Sequence, residues 1–166
     1  MVIKLVFIDL DLTIWDHWDA SRLKPPFRRV SRDCIVDSTG ESLCLYPCVR
    51  EFLGELRKRG ILVSSLSWNN PVIVLEILKV LSLNRYFDFH GIEYTPEKHL
   101  VARKVLEEVS ARTNEVIKPC EIVLIDDNEK HYQQLLHSIG EIKYIKPGKD
   151  YSSLCELLHR IDDVFV

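Results

Sequence analysis

The sequence lacks long apolar segments and has no excess of positive charge. No uninterrupted apolar run approaches the roughly 20 residues that a membrane-spanning helix needs. The N-terminal apolar stretch is interrupted by Lys4 and closed by Asp9, which is not the pattern of a signal peptide. A formal net charge of -3 at pH 7 argues against a surface that coats nucleic acid. We therefore expect a cytoplasmic protein without membrane or nucleic-acid partners.

The cysteines and histidines lack the spacing of a metal site. The number of cysteines is odd, and no C-x-x-C, H-E-x-x-H or paired Cys/His spacing occurs, which disfavours zinc. Reduced thiols in a reducing compartment are the favoured interpretation. A turn centred on Thr39 would place Cys34 opposite Cys44 on two paired strands. A disulfide between them is the alternative, and we favour two free thiols.

Regular alternation of strand and helix patterns predicts the fold. The 166 residues suffice for one domain with a single substantial core, spanning 1–166. Short apolar runs rich in β-branched residues predict strands near 2–8, 61–67, 87–94, 121–125 and 142–145. A helical pattern lies between each pair of consecutive strands, and between the first two strands a long insertion precedes the helix. Asn70-Pro71 and Thr95-Pro96 are typical helix starts. This order predicts an α/β, three-layer, Rossmann-like parallel sheet with helices on both faces.

A segment of about 16–46 interrupts the first strand–helix unit. Roughly thirty residues stand where a short loop is usual, and loops longer than about 12–15 residues are uncommon unless they are functional or disordered. The double proline at 25–26 excludes a helix interior. Apolar runs at 34–36 and 42–45 flank a Gly40 turn and predict a β-hairpin. We expect this segment to form an ordered flap.

Polar side chains gather where the predicted strands end. They are Asp9, Asp11 and Thr13 after the first strand, Ser67 at the second, Lys98 after the third, and Asp126 and Asp127 after the fourth. The carboxyl ends of parallel strands form the ligand-binding edge of an open sheet. Several carboxylates there repel one another unless a cation is present, and oxygen ligands suit Mg²⁺. Such a site is suited to phosphoryl transfer, which depends on positioning and charge neutralisation.

This pattern resembles the haloacid dehalogenase superfamily of phosphatases. The resemblance rests on D-x-D-x-T at 9–13, Ser67, Lys98 and Asp126-Asp127. Within the superfamily the chain is similar to the magnesium-dependent phosphatase-1 family along nearly its whole length. That similarity rests on Trp18, on the hairpin that leads to residues 45–47, and on residues 7–15, 25–27, 93–94 and 125–128. The resemblance implies a small β-hairpin flap in place of a large cap domain.

The resemblance also implies roles in catalysis and metal binding. Asp9 would be the nucleophile and a ligand of Mg²⁺. Asp11 would be the general acid and base and would lend its backbone carbonyl to the metal. Asp127 is the expected direct metal ligand, with Asp126 acting through water.

Further roles concern the substrate. Ser67 and Lys98 would hold the transferring phosphoryl group, with Leu10 and Asp11 beside it. Trp18, on the flap, would cover the substrate. Trp68 departs from the family pattern, which has an arginine there. A tryptophan offers a stacking face in place of a bidentate grip on an anion, so substrate choice is expected to differ.

The expected function is Mg²⁺-dependent hydrolysis of a small phosphate ester through an aspartyl-phosphate on Asp9. Aryl phosphates, sugar phosphates and phosphotyrosine are the candidate substrates, and the protein is expected to act as a monomer. One alternative is a phospho-accepting signalling domain of receiver type. Another is a phosphotransferase or phosphomutase of the same superfamily, which would need to exclude water from the phosphoenzyme.

Overall fold

The computed structural model describes residues 2–166 as helices packed on a central sheet. Among these residues the strands are β1 (Leu5–Ile8), β2 (Arg28–Arg29), β3 (Cys34–Val36), β4 (Ser42–Cys44), β5 (Leu62–Trp68), β6 (Phe89–Glu93), β7 (Ile122–Ile125) and β8 (Lys143–Ile145). The helices are α1 (Val49–Lys58), α2 (Pro71–Val80), α3 (Lys98–Thr113), α4 (Glu129–Ile139), α5 (Leu154–His159) and α6 (Ile161–Val164). Within this range no helix is both long enough and apolar enough to cross a bilayer.

Strand β1 lies at the centre of a five-stranded parallel sheet. The strand order is β6-β5-β1-β7-β8. Leu5 of β1 pairs with Leu62 of β5 on one side and with Ile122 of β7 on the other. Since these three strands are parallel and adjacent, the residues that follow them meet at one edge of the sheet.

Alternate side chains of β1 enter two separate cores. Val6 and Ile8 pack in the core that includes residues of α1, α2 and α5. Leu5 and Phe7 pack in the core that includes residues of α3 and α4. The strand is therefore buried on both faces, as parallel strands covered by helices are. The predicted three-layer α/β arrangement is confirmed.

One predicted helix start is wrong by two residues, since the cap of α3 is Glu97 and not Thr95. Asn70 caps α2 through its side chain, which accepts the Val72 N–H, as the Asn-Pro pattern indicates. The Thr95-Pro96 pattern does not start α3, which begins at Lys98 after Glu97. The Thr95 hydroxyl instead accepts the Glu97 N–H in a local turn, because threonine offers the backbone an alternative to a helix cap.

The flap, defined as residues 16–46, contains the predicted hairpin. Strands β2, β3 and β4 form a three-stranded antiparallel sheet. Two hydrogen bonds between Asp16 and Cys44 join the two ends of the flap, one of them from the Cys44 N–H to the Asp16 carboxylate at 2.8 Å. Trp15 forms a β-bridge with Leu45. These contacts fix the hairpin next to the end of the central strand.

Four of the five cysteines form disulfides, so the prediction of reduced thiols is wrong. Cys34 faces Cys44 across β3 and β4 with a Cα–Cα distance of 4.2 Å, and the two are bonded. Cys48 is bonded to Cys155 with a Cα–Cα distance of 5.1 Å and a sequence separation of 107. Cys120 is a free, exposed thiol. The second pairing depends on α1 packing against α5, a long-range contact that cysteine spacing does not reveal.

Removing the Cys48–Cys155 disulfide is expected to destabilise the protein more than removing the Cys34–Cys44 disulfide. The cross-links close loops with separations of 107 and 10 residues. Loop entropy then predicts losses in the free energy of unfolding of about 5 kcal/mol and about 3 kcal/mol. Urea unfolding of the double variants C48A/C155A and C34A/C44A under non-reducing conditions measures both values. A larger loss for C34A/C44A would contradict the expectation.

Candidate active site

The sheet topology brings the predicted side chains together at the carboxyl edge of β1, β5 and β7. Asp9 follows β1, Ser67 lies near the end of β5, and Asp126 and Asp127 follow β7. Lys98 reaches them from the first residue of α3. They surround a cavity of about 160 Å³ lined by Asp9, Asp11, Leu12, Trp18, Ser67, Trp68, Lys98, Asp127, Asn128 and His131. The volume is small, and ionisable and tryptophan side chains make up much of its wall.

Lys98 joins two carboxylates from different strands. Its Nζ donates to Asp9 Oδ1 at 2.8 Å and to Asp126 Oδ2 at 2.7 Å. All three residues are buried, with exposed fractions of 6% for Asp9, 2% for Lys98 and 0% for Asp126. A buried ammonium and buried carboxylates are stable only when paired. The arrangement holds the Asp9 carboxylate in one orientation at the floor of the cavity.

The two carboxylates share one ammonium unequally. Burial raises the pKa of Asp9 well above its ordinary value; Lys98 opposes this and the negative charge of Asp126 adds to it. Burial also acts to raise the pKa of Asp126, but Lys98 and then His131 outweigh it and lower that pKa. Burial acts to lower the pKa of Lys98, yet the two carboxylates raise it overall. The site therefore has more negative charge than Lys98 alone compensates, and a cation would reduce the repulsion.

Three carboxylates are close enough to hold a metal ion. Asp9, Asp126 and Asp127 each offer an oxygen, and these oxygens lie within 4.8 Å of one another. An all-oxygen set with two or three carboxylates fits Mg²⁺, which is bound by few carboxylates and otherwise by water and substrate phosphate. Asp127 lines the cavity. The Asp126 carboxylate already accepts hydrogen bonds from the Lys98 ammonium and from the Asn128 N–H at 2.8 Å, and it contacts His131. Asp127 is thus the more accessible ligand.

Asp11 is held by three donors at the flap side of the cavity. Its Oδ1 accepts the Trp15 indole N–H at 2.8 Å and the Ala20 N–H at 3.1 Å. Its Oδ2 accepts the Asn69 amide at 2.8 Å. Burial raises the pKa of Asp11, and the bonds from Trp15, Asn69 and Ala20 partly oppose this. A raised pKa with a fixed orientation suits a carboxyl group that donates and accepts a proton.

Asn69 connects Asp11 to Ser67. Its amide nitrogen donates to Asp11 and also to Ser67 Oγ at 2.8 Å. Its carbonyl oxygen accepts both the N–H and the hydroxyl of Ser21 on the flap. Since Ser21 supplies donors, the amide orientation is set by the network. The structure thus places Asn69 in the site, whereas the neighbouring Asn70 caps α2.

The two tryptophans stand at the mouth of the cavity. Trp18 is 58% exposed and Trp68 is 49% exposed, and both line the cavity. The Arg22 guanidinium lies 4.9 Å from the centre of the Trp18 ring. Leu10 is fully buried, so it can offer a ligand only its backbone. Trp15 is buried, and its indole N–H donates to Asp11.

His131 is the side chain that the sequence did not single out. It lies in the first turn of α4, lines the cavity, and its Nδ1 is 3.2 Å from Asp126 Oδ2. The only signal in the sequence is its position five residues after Asp126. Histidines at such positions are common on helix surfaces, so the spacing alone does not predict the contact.

The sequence matches a known protein family and a curated relative. The model of the Acid Phosphatase family matches residues 1–149. Magnesium-dependent phosphatase 1 of Homo sapiens is 33% identical over 85 residues, which cover 51% of this chain and 48% of the human protein. The matched segment therefore spans about half the length of that curated relative.

Solved structures share the fold at low sequence identity. A haloacid dehalogenase superfamily hydrolase from Geobacter sulfurreducens superposes with a TM-score of 0.66 at 15% identity, covering 99% of this chain and 97% of that one. The N-terminal part of protein BF1531 from Bacteroides fragilis, which contains a phosphatase domain complexed with Mg, gives a TM-score of 0.64 at 16% identity. It covers 99% of this chain and 41% of that one. Together with the match to the Acid Phosphatase family and to magnesium-dependent phosphatase 1, this shared fold confirms the predicted resemblance to the superfamily.

Proposed function

The chain belongs to the Acid Phosphatase family, and we propose that it hydrolyses small phosphomonoesters with Mg²⁺ as its cofactor and Asp9 as its nucleophile. One observation carries the proposal. The oxygens of Asp9, Asp126 and Asp127 lie within 4.8 Å of one another beside the Lys98 ammonium. This combination supports a reaction that uses a nucleophilic carboxylate, a cation and a fixed positive charge around one small cavity.

Asp9 performs the first step. Lys98 holds its Oδ1, and the Thr13 hydroxyl lies 3.5 Å from its Oδ2. The carboxylate attacks phosphorus as the bond between phosphorus and the ester oxygen breaks, giving an aspartyl-phosphate and an alcohol. Ser67 and Lys98 hold the phosphoryl oxygens during the transfer.

Asp11 moves the proton in both steps. It donates its proton to the departing ester oxygen, which leaves as the alcohol. In the second step it takes a proton from water as the water oxygen attacks the phosphorus bound to Asp9. The bond between phosphorus and Asp9 breaks, inorganic phosphate leaves, and both carboxyl groups return to their starting states.

Asp9, Asp127 and the backbone carbonyl of Asp11 would hold the metal, with Asp126 acting through water. Bound Mg²⁺ supplies positive charge that offsets the charge on the phosphoryl oxygens. The greater accessibility of Asp127 supports its role as the direct carboxylate ligand after Asp9. Asp126 positions Lys98 in this proposal.

Aryl phosphates are the substrate class that the cavity mouth favours. A volume of about 160 Å³ leaves room for the phosphoryl group and little else. The alcohol part therefore lies at the mouth, where Trp18 and Trp68 expose large aromatic faces. Stacking of an aromatic group on such a face contributes about 0.5–1.5 kcal/mol to the binding free energy, in addition to the contribution from buried apolar area.

The proposal is tested with phenyl phosphate, phosphotyrosine and a sugar phosphate under Mg²⁺ titration. We expect Mg²⁺-dependent release of phosphate, with the aryl esters preferred. Trp68→Ala is expected to raise KM for phenyl phosphate several-fold and to change KM for the sugar phosphate little. No release of phosphate from any ester would refute the proposal. A phosphoenzyme stable for hours would support a receiver domain, and transfer to an added alcohol would support a phosphotransferase.

Trp15→Phe is expected to lower kcat about tenfold with little change in KM. The substitution removes the indole N–H that donates to Asp11 at 2.8 Å and keeps an aromatic ring in the core. A hydrogen bond to a charged group contributes about 1.5–3 kcal/mol, and here it orients the proton donor. Steady-state kinetics with phenyl phosphate measures the effect. An unchanged kcat would show that this bond does not position Asp11.

A further inference from the structure

A serine of the flap is hydrogen-bonded to the network behind the catalytic cavity. Ser21 lies in a short 3₁₀ helix, Ala20–Arg22, which Asp19 caps by accepting the Ser21 N–H at 3.1 Å. The Ser21 N–H also donates to the Asn69 side-chain oxygen at 3.2 Å, and the Ser21 hydroxyl donates to the same oxygen. Ser21 does not line the catalytic cavity, so any effect it has on the reaction must pass through Asn69.

Backbone N–H groups fix the direction of the bonds between Ser21 and Asn69. The Asn70 N–H donates to Ser21 Oγ at 2.7 Å, so the hydroxyl accepts there and directs its own hydrogen to Asn69. Because a backbone N–H can only donate, the oxygen of the Asn69 amide must face Ser21. A flipped amide would place the Asn69 NH₂ group against the Ser21 N–H, and both donors would lose their partners.

Every hydrogen-bonding position of the Asn69 side chain is occupied. The residue is 1% exposed. Its two amide hydrogens donate to Asp11 Oδ2 and to Ser67 Oγ, both at 2.8 Å, and its oxygen accepts the two bonds from Ser21. A primary amide has two donor hydrogens and two acceptor lone pairs, so no further partner is needed. Ser21 thus supplies both bonds on the acceptor side of the amide.

The two carboxylate oxygens of Asp11 differ in their capacity to carry a proton. Oδ1 accepts the Trp15 indole N–H and the Ala20 N–H, which occupy its two lone pairs. Across residues 2–166, Oδ2 accepts only the Asn69 amide. The remaining lone pair of Oδ2 is therefore the position at which Asp11 can hold the proton that it transfers. Asn69 orients the oxygen that carries this proton.

We propose that Ser21 is a positioning residue for the proton donor Asp11 and acts through Asn69. The Ser21 hydroxyl and N–H hold the Asn69 amide with its NH₂ group toward Asp11, and the amide holds Oδ2 in place. The flap thereby takes part in the protonation of the ester oxygen. This inference rests on the proposed function of the same site.

The test compares kcat/KM for phenyl phosphate and for 4-nitrophenyl phosphate with saturating Mg²⁺. The 4-nitrophenolate is the more stable leaving group, so its departure depends less on a proton donor. Ser21→Ala removes the hydroxyl. We expect kcat/KM to fall about fivefold for phenyl phosphate, equivalent to one hydrogen bond of about 1 kcal/mol, and to change little for 4-nitrophenyl phosphate. Ser21→Thr keeps a hydroxyl and should restore the wild-type values.

A double-mutant cycle shows whether Ser21 acts through Asn69. Asn69→Ala is expected to lower kcat/KM for phenyl phosphate more than Ser21→Ala does, because it removes the bond to Asp11 itself. Adding Ser21→Ala to Asn69→Ala should cause no further loss, since substitutions that break one shared network are not additive. Ser38→Ala, at an exposed serine of the flap, is the matched control and should behave as the wild type.

Three results would overturn the inference and leave the proposed function standing. They are an unchanged kcat/KM for phenyl phosphate in Ser21→Ala, equal losses with the two esters, and a further loss when Ser21→Ala is added to Asn69→Ala. A wild type that hydrolyses neither ester would refute the proposed function and this inference with it. Thermal unfolding shows which variants keep the fold, and rescue by Ser21→Thr excludes general damage to the flap as the cause of the loss.

Discussion

Asp9→Asn is expected to lower kcat for phenyl phosphate on the order of 10⁴-fold or more, the scale seen when a catalytic nucleophile is removed. The amide has nearly the same shape as the carboxylate but cannot form the acyl phosphate. It also removes one of the oxygens that approach within 4.8 Å of Asp126 and Asp127, so Mg²⁺ should bind more weakly. The fold should be retained, because the substitution relieves the burial of a negative charge.

Kinetics, thermal unfolding and a Mg²⁺ titration separate these effects. Because Mg²⁺ binds the folded state, it should raise the unfolding temperature of the wild type, and should do so less for Asp9→Asn. Asp163→Asn, at an exposed position in α6, is the matched control and should behave as the wild type. A residual kcat above one tenth of the wild-type value in Asp9→Asn would exclude Asp9 as the nucleophile.

Lys98→Met is expected to impair both activity and stability. The ammonium pairs with Asp9 and Asp126 at 2.8 Å and 2.7 Å while 2% exposed. Removing one partner of a buried ion pair costs about 3–5 kcal/mol, because the remaining charge is left uncompensated. Losing a preorganised donor to the phosphoryl oxygens should lower kcat a further 10²- to 10³-fold at temperatures where the variant is folded.

Lys104→Met is the control for Lys98→Met. Lys104 lies in the same helix and pairs with Glu93 at 2.7 Å, but its side chain is 65% exposed. Exposed ion pairs contribute about 0–1 kcal/mol, so its unfolding free energy and kcat should change little. Urea unfolding and phenyl phosphate kinetics compare the two variants. Equal losses of unfolding free energy and kcat in the two variants would show that the burial of Lys98 does not determine its contribution.

The sequence was sufficient to predict the features that depend on local patterns and strand direction. Apolar runs followed by Asp9, Ser67 and Asp126 indicated parallel strands, and the topology then places those residues at one edge. The flap was predicted from the length of the segment and its Gly40 turn. These inferences succeeded because each rests on neighbouring residues and on the general geometry of parallel sheets.

Contacts between distant segments were harder to predict. The pairing of Cys48 with Cys155 depends on how α1 packs against α5, which no local pattern encodes. The contact between His131 and Asp126 depends on the direction in which α4 leaves β7. The start of α3 was misplaced because Thr95 forms a local turn that competes with a helix cap.

The most direct measurement is peptide mass spectrometry after a rapid acid quench of the protein turning over phenyl phosphate with Mg²⁺. Acid preserves the acyl-phosphate long enough to locate it. We predict one added phosphoryl group on the peptide containing Asp9, present during turnover and absent from Asp9→Asn. Turnover without this adduct, or an adduct on another residue, would contradict the role of Asp9 in the proposed mechanism.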